Sequence, residues 1–201
     1  MTRPEHDWDD SYLAEAAPPW DIGRPQPVFQ QLADDGLFVG ALLDSGCGTG
    51  EHTLLAAALG ADAFGADLSS VAIDIARRKA AERGLDVQFE AGDILELSLP
   101  EQRFDTVLDS GLFHSFDDND RVRYVDVLGR ASKPGAHLYL MCFSDRQPGD
   151  WGPRRVTRAE LETAFAEGWS IERLEPSTFT LNPVEGTSAV EAWLLVASRT
   201  Q

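Results

Sequence analysis

Residues 42–50, LLDSGCGTG, and Asp67, seventeen positions beyond Gly50 in GADLSS, are the part of this chain whose residue types and spacing point to a ligand. They read as a buried strand, a glycine turn, a helix and a second strand. The second strand ends in a carboxylate, twenty-one residues after Gly46, where it can accept both hydroxyls of a ribose. Gly46, Gly48 and Gly50 give G-x-G-x-G. A dinucleotide site wants a third glycine three residues after the second, where backbone and pyrophosphate crowd together. Glu51 stands there instead, an anion near the positive end of the following helix, which disfavours a diphosphate. With no G-x-x-x-x-G-K-[ST] loop for a triphosphate, the expected ligand is an adenosine without phosphates.

Taken together, these segments resemble the motifs of the class I S-adenosylmethionine-dependent methyltransferases. LLDSGCGTG is similar to their first motif, GADLSS to the second, GDI at residues 92–94 to the third, and FDTVLDSG to the strand that follows. The resemblance implies S-adenosylmethionine as cofactor, S-adenosylhomocysteine as product, and cofactor contacts from Asp44, Gly46, Cys47, Gly48, Asp67 and Leu68. It also implies that Asp93 binds the adenine amino group, that Ile94 packs on the ring, and that Asp109 or Ser110 meets the methionine portion. The segment PPWDIGRPQP resembles the N-terminus of the thiopurine, thiol and halide methyltransferases and of bacterial enzymes that methylate small heterocycles. Trp20 is therefore expected to fold over the cofactor, with Trp8, Tyr12 and Trp151 extending the cover. Two departures stand out. Ser45 replaces a commonly apolar residue, and the glycine loop lacks the thiopurine form, so that group's substrate does not carry over.

Asp109-Ser110-Gly111-Leu112-Phe113 occupies the place where base-amine methyltransferases carry a proline-proline-aromatic tetrad; without it, no grip on a flipped nucleobase is expected. Methyl transfer from a sulfonium is an in-line displacement driven by alignment in a dry cavity, and acid or base groups are optional. His114 is the candidate general base for a phenolic acceptor, against the plainer reading of a histidine packed beneath Phe113 and Phe116. His52 and His137, inside a helix and a strand, default to structural roles. Phe113, Phe116, Phe143 and Trp151 are the candidate acceptor pocket for a small, flat, uncharged or weakly acidic molecule. The acidic run 117–120 precedes a helix and reads as capping, so no metal is expected. Rival readings are a regulator that binds the cofactor without transfer and an NAD-dependent oxidoreductase.

The elements that must position these residues alternate. Helices are expected at 9–15, 25–32, 51–59, 69–83 and 120–132, and strands at 41–44, 63–67, 87–90, 106–109 and 138–143. Thr157-x-x-Glu160 is a capping box that opens a further helix carrying Leu161 and Phe165. Strands at 169–174 and 189–198, joined by a loop, should pair antiparallel. The expected fold is α/β, a Rossmann-like seven-stranded, mostly parallel sheet with helices on both faces and an antiparallel C-terminal hairpin. Residues 1–24 form an N-terminal arm or lid and residues 25–201 one methyltransferase domain. A chain of 201 residues suits one core, and its charge of -17 repels phosphate backbones and anionic lipid. Two cysteines in unrelated settings and no apolar leader point to a cytoplasmic monomer or homodimer that binds neither nucleic acid nor membrane.

Overall fold

The computed structural model describes residues 7–184 and 186–200. Two short helices, α1 (Trp8–Leu13) and α2 (Pro27–Asp34), precede an alternating run. That run is β1 (Ala41–Ser45), α3 (Glu51–Ala58), β2 (Asp62–Asp67), α4 (Ser70–Arg83), β3 (Gln88–Ala91), β4 (Phe104–Ser110), α5 (Asp118–Ala131) and β5 (Ser132–Phe143). The chain then closes through α6 (Arg158–Ala164), β6 (Trp169–Val184) and β7 (Thr187–Arg199). All seven strands form one sheet in the order β3-β2-β1-β4-β5-β7-β6. The first five are parallel to their neighbours, and β7 runs antiparallel between β5 and β6. The strand order reverses between β1 and β4, and the crevice beyond their carboxyl ends is where such sheets place ligands.

Alternation along the strands builds two cores. Leu138, Leu140 and Cys142 of β5 join Trp193, Leu195 and Ala197 of β7 on one face, beneath Tyr124 and Leu128 of α5 and Leu161 and Phe165 near α6. Tyr139, Met141 and Phe143 join Ala192, Leu194 and Val196 on the other, against Phe29 and Leu32 of α2. Leu54 of α3 packs with Ile73 and Ala76 of α4 in a third cluster.

The expected fold class is the observed one, with three changes of extent. Pro27 rather than Pro25 takes the first turn of α2. The fifth strand starts at Ser132, directly after α5, instead of at 138. The last two strands span 16 and 13 residues and leave almost no loop between them. Pro176, which has no N–H to give, is tolerated because β6 is an edge strand. Within the expected arm, residues 1–6 lie outside the described residues.

Candidate active site

The glycine turn is built by backbone geometry that side chains resist. Gly46, Gly48 and Gly50 all have positive φ, and a Cβ on Gly46 would stand 2.9 Å from Leu112. Gly46 and Cys47 donate their N–H groups to Ala66 O, which fixes the turn against β2. Asp67, at the end of β2, accepts from Gly48 N at 2.7 Å and Ser69 N at 2.9 Å. Burial raises its pKa despite these bonds. A carboxylate offers about four lone-pair sites, so two remain for ligand hydroxyls. Asp93 accepts from Leu95 N, and Ile94 is buried beside it.

Two buried acids lie under this surface. Asp44 Oδ2 accepts from Thr53 N at 3.0 Å and Thr53 Oγ1 at 2.6 Å, while Oδ1 is buried with no hydrogen-bond partner among the described residues. Burial pushes the Asp44 pKa up to about 7. Asp109 accepts from Leu112 N at 2.7 Å, Phe113 N at 3.1 Å and Tyr124 Oη at 2.9 Å, and burial likewise pushes it up to about 7. It holds the turn 110–112 and a single 3-10 turn, Phe113–Ser115, in place from inside.

Glu51 does not act as the sequence suggests. Its carboxylate turns to α4, where Lys79 and Arg83 reach it at 2.9 Å each. Burial alone would raise its pKa, but the bonds from Arg83 and Lys79 outweigh that and hold it low. The anion that occupies the first turn of α3 is Asp44, through Thr53 N. The positive helix end that a phosphate would seek is thus already engaged by a carboxylate of the chain itself.

A cavity of about 550 Å³ opens above the switch point. One end is walled by Gly46, Cys47, Gly48, Asp67, Leu68, Asp93, Ile94 and Ser110. Leu68 is 49 % exposed, an apolar surface left free at the cavity. The other end is aromatic. His114 lies edge-on to Phe143 at 5.4 Å and to Phe179 at 6.0 Å, Trp151 stands edge-on to Phe143 at 6.1 Å, and Phe116 completes the wall. The arm supplies a further wall. Trp20 Nε1 donates to Tyr12 Oη at 3.1 Å, Trp8 meets Trp20 edge-on, and Asp9 takes hydrogen bonds from Ser69, Ser70 and Val71 at the start of α4. Asn182 of β6 ties the arm down by donating to Pro18 O and Asp21 O.

The cavity therefore gathers most of the residues singled out in the sequence: Trp20, Gly46, Cys47, Gly48, Asp67, Leu68, Asp93, Ile94, Ser110, His114, Phe116 and Phe143, with Trp151 at the rim and Trp8 and Tyr12 from the arm. Asp44, Asp109 and Phe113 are not on its wall. The first two brace the turns that form it, and Phe113 is buried in the core against Tyr124 and Phe165. Ser45 is buried too, bonded to Tyr124 Oη. His52 accepts from Gln26 N and His137 stacks on Tyr139, both structural as expected. Asp117 caps α5 through Asp120 N, Asp118 pairs with Arg154 and Asp120 with Arg123. Phe179, Leu181, Arg24 and Thr49 line the cavity without having been singled out; for Phe179 and Leu181 the period-2 pattern of TFTLN was the available signal.

The pocket fits the cofactor the motifs imply. It has a ribose-spaced carboxylate with free lone pairs, and a glycine turn on its wall where a Cβ at Gly46 or Gly48 would collide with Leu112 or Tyr12.

Residues 42–135 match the model of a methyltransferase domain. The chain is 35 % identical over 184 residues to a 2-heptyl-1-hydroxyquinolin-4(1H)-one methyltransferase of Mycobacteroides abscessus, covering 87 % of this chain and 81 % of that one. It is 26 % identical over 190 residues to a probable thiol methyltransferase of Arabidopsis thaliana, covering 92 % and 83 %. A structure solved for the conversion of a disulfide bond into a thioacetal group during echinomycin biosynthesis superposes with a TM-score of 0.85 at 39 % identity, over 96 % of this chain and 89 % of that one. With the motifs, the fold and these relatives in agreement, the chain belongs to the class I S-adenosylmethionine-dependent methyltransferases of the small-molecule type.

Proposed function

We propose that this enzyme methylates a sulfur, nitrogen or oxygen atom of a small, flat aromatic or heterocyclic molecule. The observation that carries the reading is one cavity with a glycine turn at one end and the recess of His114, Phe143, Phe179 and Trp151 at the other. Its volume suits a cofactor with a small acceptor. Relatives named for a hydroxyquinolone and for thiols support the same class.

In this reading Asp67 holds the ribose, and Leu68, Asp93 and Ile94 hold the adenine. Gly46, Cys47, Gly48 and Ser110 serve the methionine portion, and Asp44 acts from behind by bracing the glycine turn through Thr53. Asp109 acts by holding the turn that presents Ser110. The cofactor supplies an electrophilic methyl group on a sulfonium. Phe116, Phe143, Phe179 and Trp151 align the acceptor and exclude water, which is where most of the rate enhancement arises. The arm, residues 7–24 among those described, serves as a lid, its Trp8, Tyr12 and Trp20 lining the cavity. The acids of the 117–120 run are committed to capping and ion pairs and are assigned no part in the reaction.

The test is incubation with methyl-labelled S-adenosylmethionine and a panel of 1-hydroxyquinolones, thiols and azaheterocycles. Label in at least one flat acceptor is expected. Cofactor binding with label passing only to proteins or nucleic acid overturns the proposal.

A further inference from the structure

His114 is held in one tautomer. Its Nδ1 accepts a hydrogen bond from the backbone N–H of Phe143 at 3.0 Å. A backbone N–H can only donate, so Nδ1 carries the lone pair and the proton of the neutral ring sits on Nε2. A general base at this position needs a bare Nε2 or a free Nδ1, and His114 has neither. Its pKa is pushed down to about 3 by burial first, then by Arg121 of α5 and Arg155 of the loop before Val156. Strands β5 and β6 face the ring with the uncharged Phe143 and Phe179.

The charges of the cavity are also divided. Among the described residues, the carboxylates that line it are Asp21, Glu51, Asp67 and Asp93, and all are engaged near the glycine turn. Asp21 accepts from Thr49 Oγ1, Glu51 from Lys79 and Arg83, Asp67 from Gly48 N, and Asp93 from Leu95 N. Beside the aromatic end lies a guanidinium. Arg155 lies 5.0 Å from the centre of the Phe143 ring and gives its N–H groups to the carbonyls of Gln147, Pro153 and Gly149. Arg24, exposed at the cavity, forms no ion pair among the described residues. In a chain of charge -17, the guanidinium beside Phe143 and the unpaired Arg24 on the cavity wall favour an anion in the cavity.

We infer that the acceptor is bound as its conjugate base, an ionised N-hydroxy, thiol or phenol group, and that His114 offers it the Nε2–H as a hydrogen-bond donor and takes up no proton. This rests on the methyltransferase reading of the cavity. The acceptor's lone pair forms the new bond to the methyl carbon as the sulfur–methyl bond breaks, and that bond's electron pair stays on sulfur. The negative and positive charges annul each other, and the acceptor's proton has already been lost to solvent. Acceptors are therefore selected for acidity as well as for shape.

The test uses ring-substituted 1-hydroxyquinolin-4(1H)-ones and thiophenols that span several pH units in acidity. The acid limb of kcat/KM is expected to move with the pKa of each acceptor. A limb fixed at one pH across the series overturns the inference. His114→Phe should lower kcat/KM by about 10- to 100-fold through loss of a hydrogen bond to a charged group. His114→Gln, which keeps a donor near Nε2 and cannot act as a base, should recover most of that loss, while S-adenosylhomocysteine affinity stays the same in both. A Gln variant as impaired as the Phe variant overturns it. The ring nitrogens of His114, observed by NMR in the S-adenosylhomocysteine complex, decide the tautomer whether or not any panel member is methylated. A protonated Nε2 across neutral pH is expected, and a bare Nε2 sinks the inference even where label transfer upholds the enzyme's proposed function.

Discussion

Asp44 and Thr53 lock the glycine turn to the helix behind it, the carboxylate taking both the backbone N–H and the hydroxyl of Thr53. The acid is fully buried and its other oxygen is unpartnered, which is why its pKa sits near 7. A folded-state value above that of the unfolded chain means that the folded protein binds the extra proton between about pH 4 and 7, so stability from the neutral form is lost as the pH rises through that range. Asp109 adds a loss of the same sign. His52 and His114, lowered to about 4 and about 3, act in the opposite sense and lose stability as the pH falls below the unfolded value of about 6.5. The Asp44 contribution is isolated by comparing melting temperatures of Asp44→Asn and the parent. The difference, variant minus parent, should grow from about pH 5 to about pH 8. A flat difference shows that Asp44 titrates normally.

Glu51→Gln tests which acid guards the start of α3. Removing the carboxylate leaves Lys79 and Arg83 facing each other without their shared partner. Both cations keep some solvent contact, so the expected loss on denaturant unfolding is about 1–2 kcal/mol, less than for a fully buried pair. Because Asp44 still occupies the helix end, the variant should bind NAD no better than the parent by calorimetry.

Much of this site was legible because its chemistry forces residue types at fixed spacing. Gly46, Gly48 and Gly50 need positive φ, and Asp67 ends the strand beside them, so sequence spacing brought the glycine turn and that carboxylate together on one cavity wall. Glu51 shows the limit of that logic. Its position in the chain was read rightly, but the cations that redirect it come from α4, some thirty residues on. The aromatic end was less legible. Phe113 and Phe116 are three apart and both join the core, yet only Phe116 also reaches the cavity wall, a difference set by the turn that Asp109 holds. The long β6 was hidden by Pro176, Asn182 and Pro183, which read as loop, and their cost falls on an unpaired edge.

Tyr124→Phe probes the brace under that turn. Tyr124 Oη donates to Asp109 at 2.9 Å and contacts Ser45 Oγ at 3.1 Å, all three fully buried. Losing one hydroxyl strips Asp109 of a partner and should cost about 1–3 kcal/mol in unfolding free energy. Since the turn carries Ser110 and His114 to the cavity, kcat should fall as well, while Tyr124→Phe combined with Asp109→Asn should cost less than the sum of the two single changes. Simple additivity in that cycle refutes the brace.

The arm is joined to β6 by contacts more than 150 residues apart in sequence. Asn182 donates to Pro18 O at 3.0 Å and Asp21 O at 2.7 Å, and Gln26 pairs both ways with the backbone of Thr180. These bonds hold Trp20, which is 42 % exposed and has little burial of its own to keep it in place. Asn182→Ala removes the two side-chain bonds while leaving Asn182 N bonded to Pro19 O and the Gln26 clamp intact. The global unfolding free energy should therefore drop by only about 1–2 kcal/mol. The arm's own opening becomes easier by a similar amount, about a five- to thirty-fold shift in the open population. Hydrogen exchange at residues 18–22 should speed up by that factor, and S-adenosylhomocysteine should dissociate faster, if the arm covers it. Faster exchange with an unchanged dissociation rate means that the arm packs on the protein without covering the cofactor.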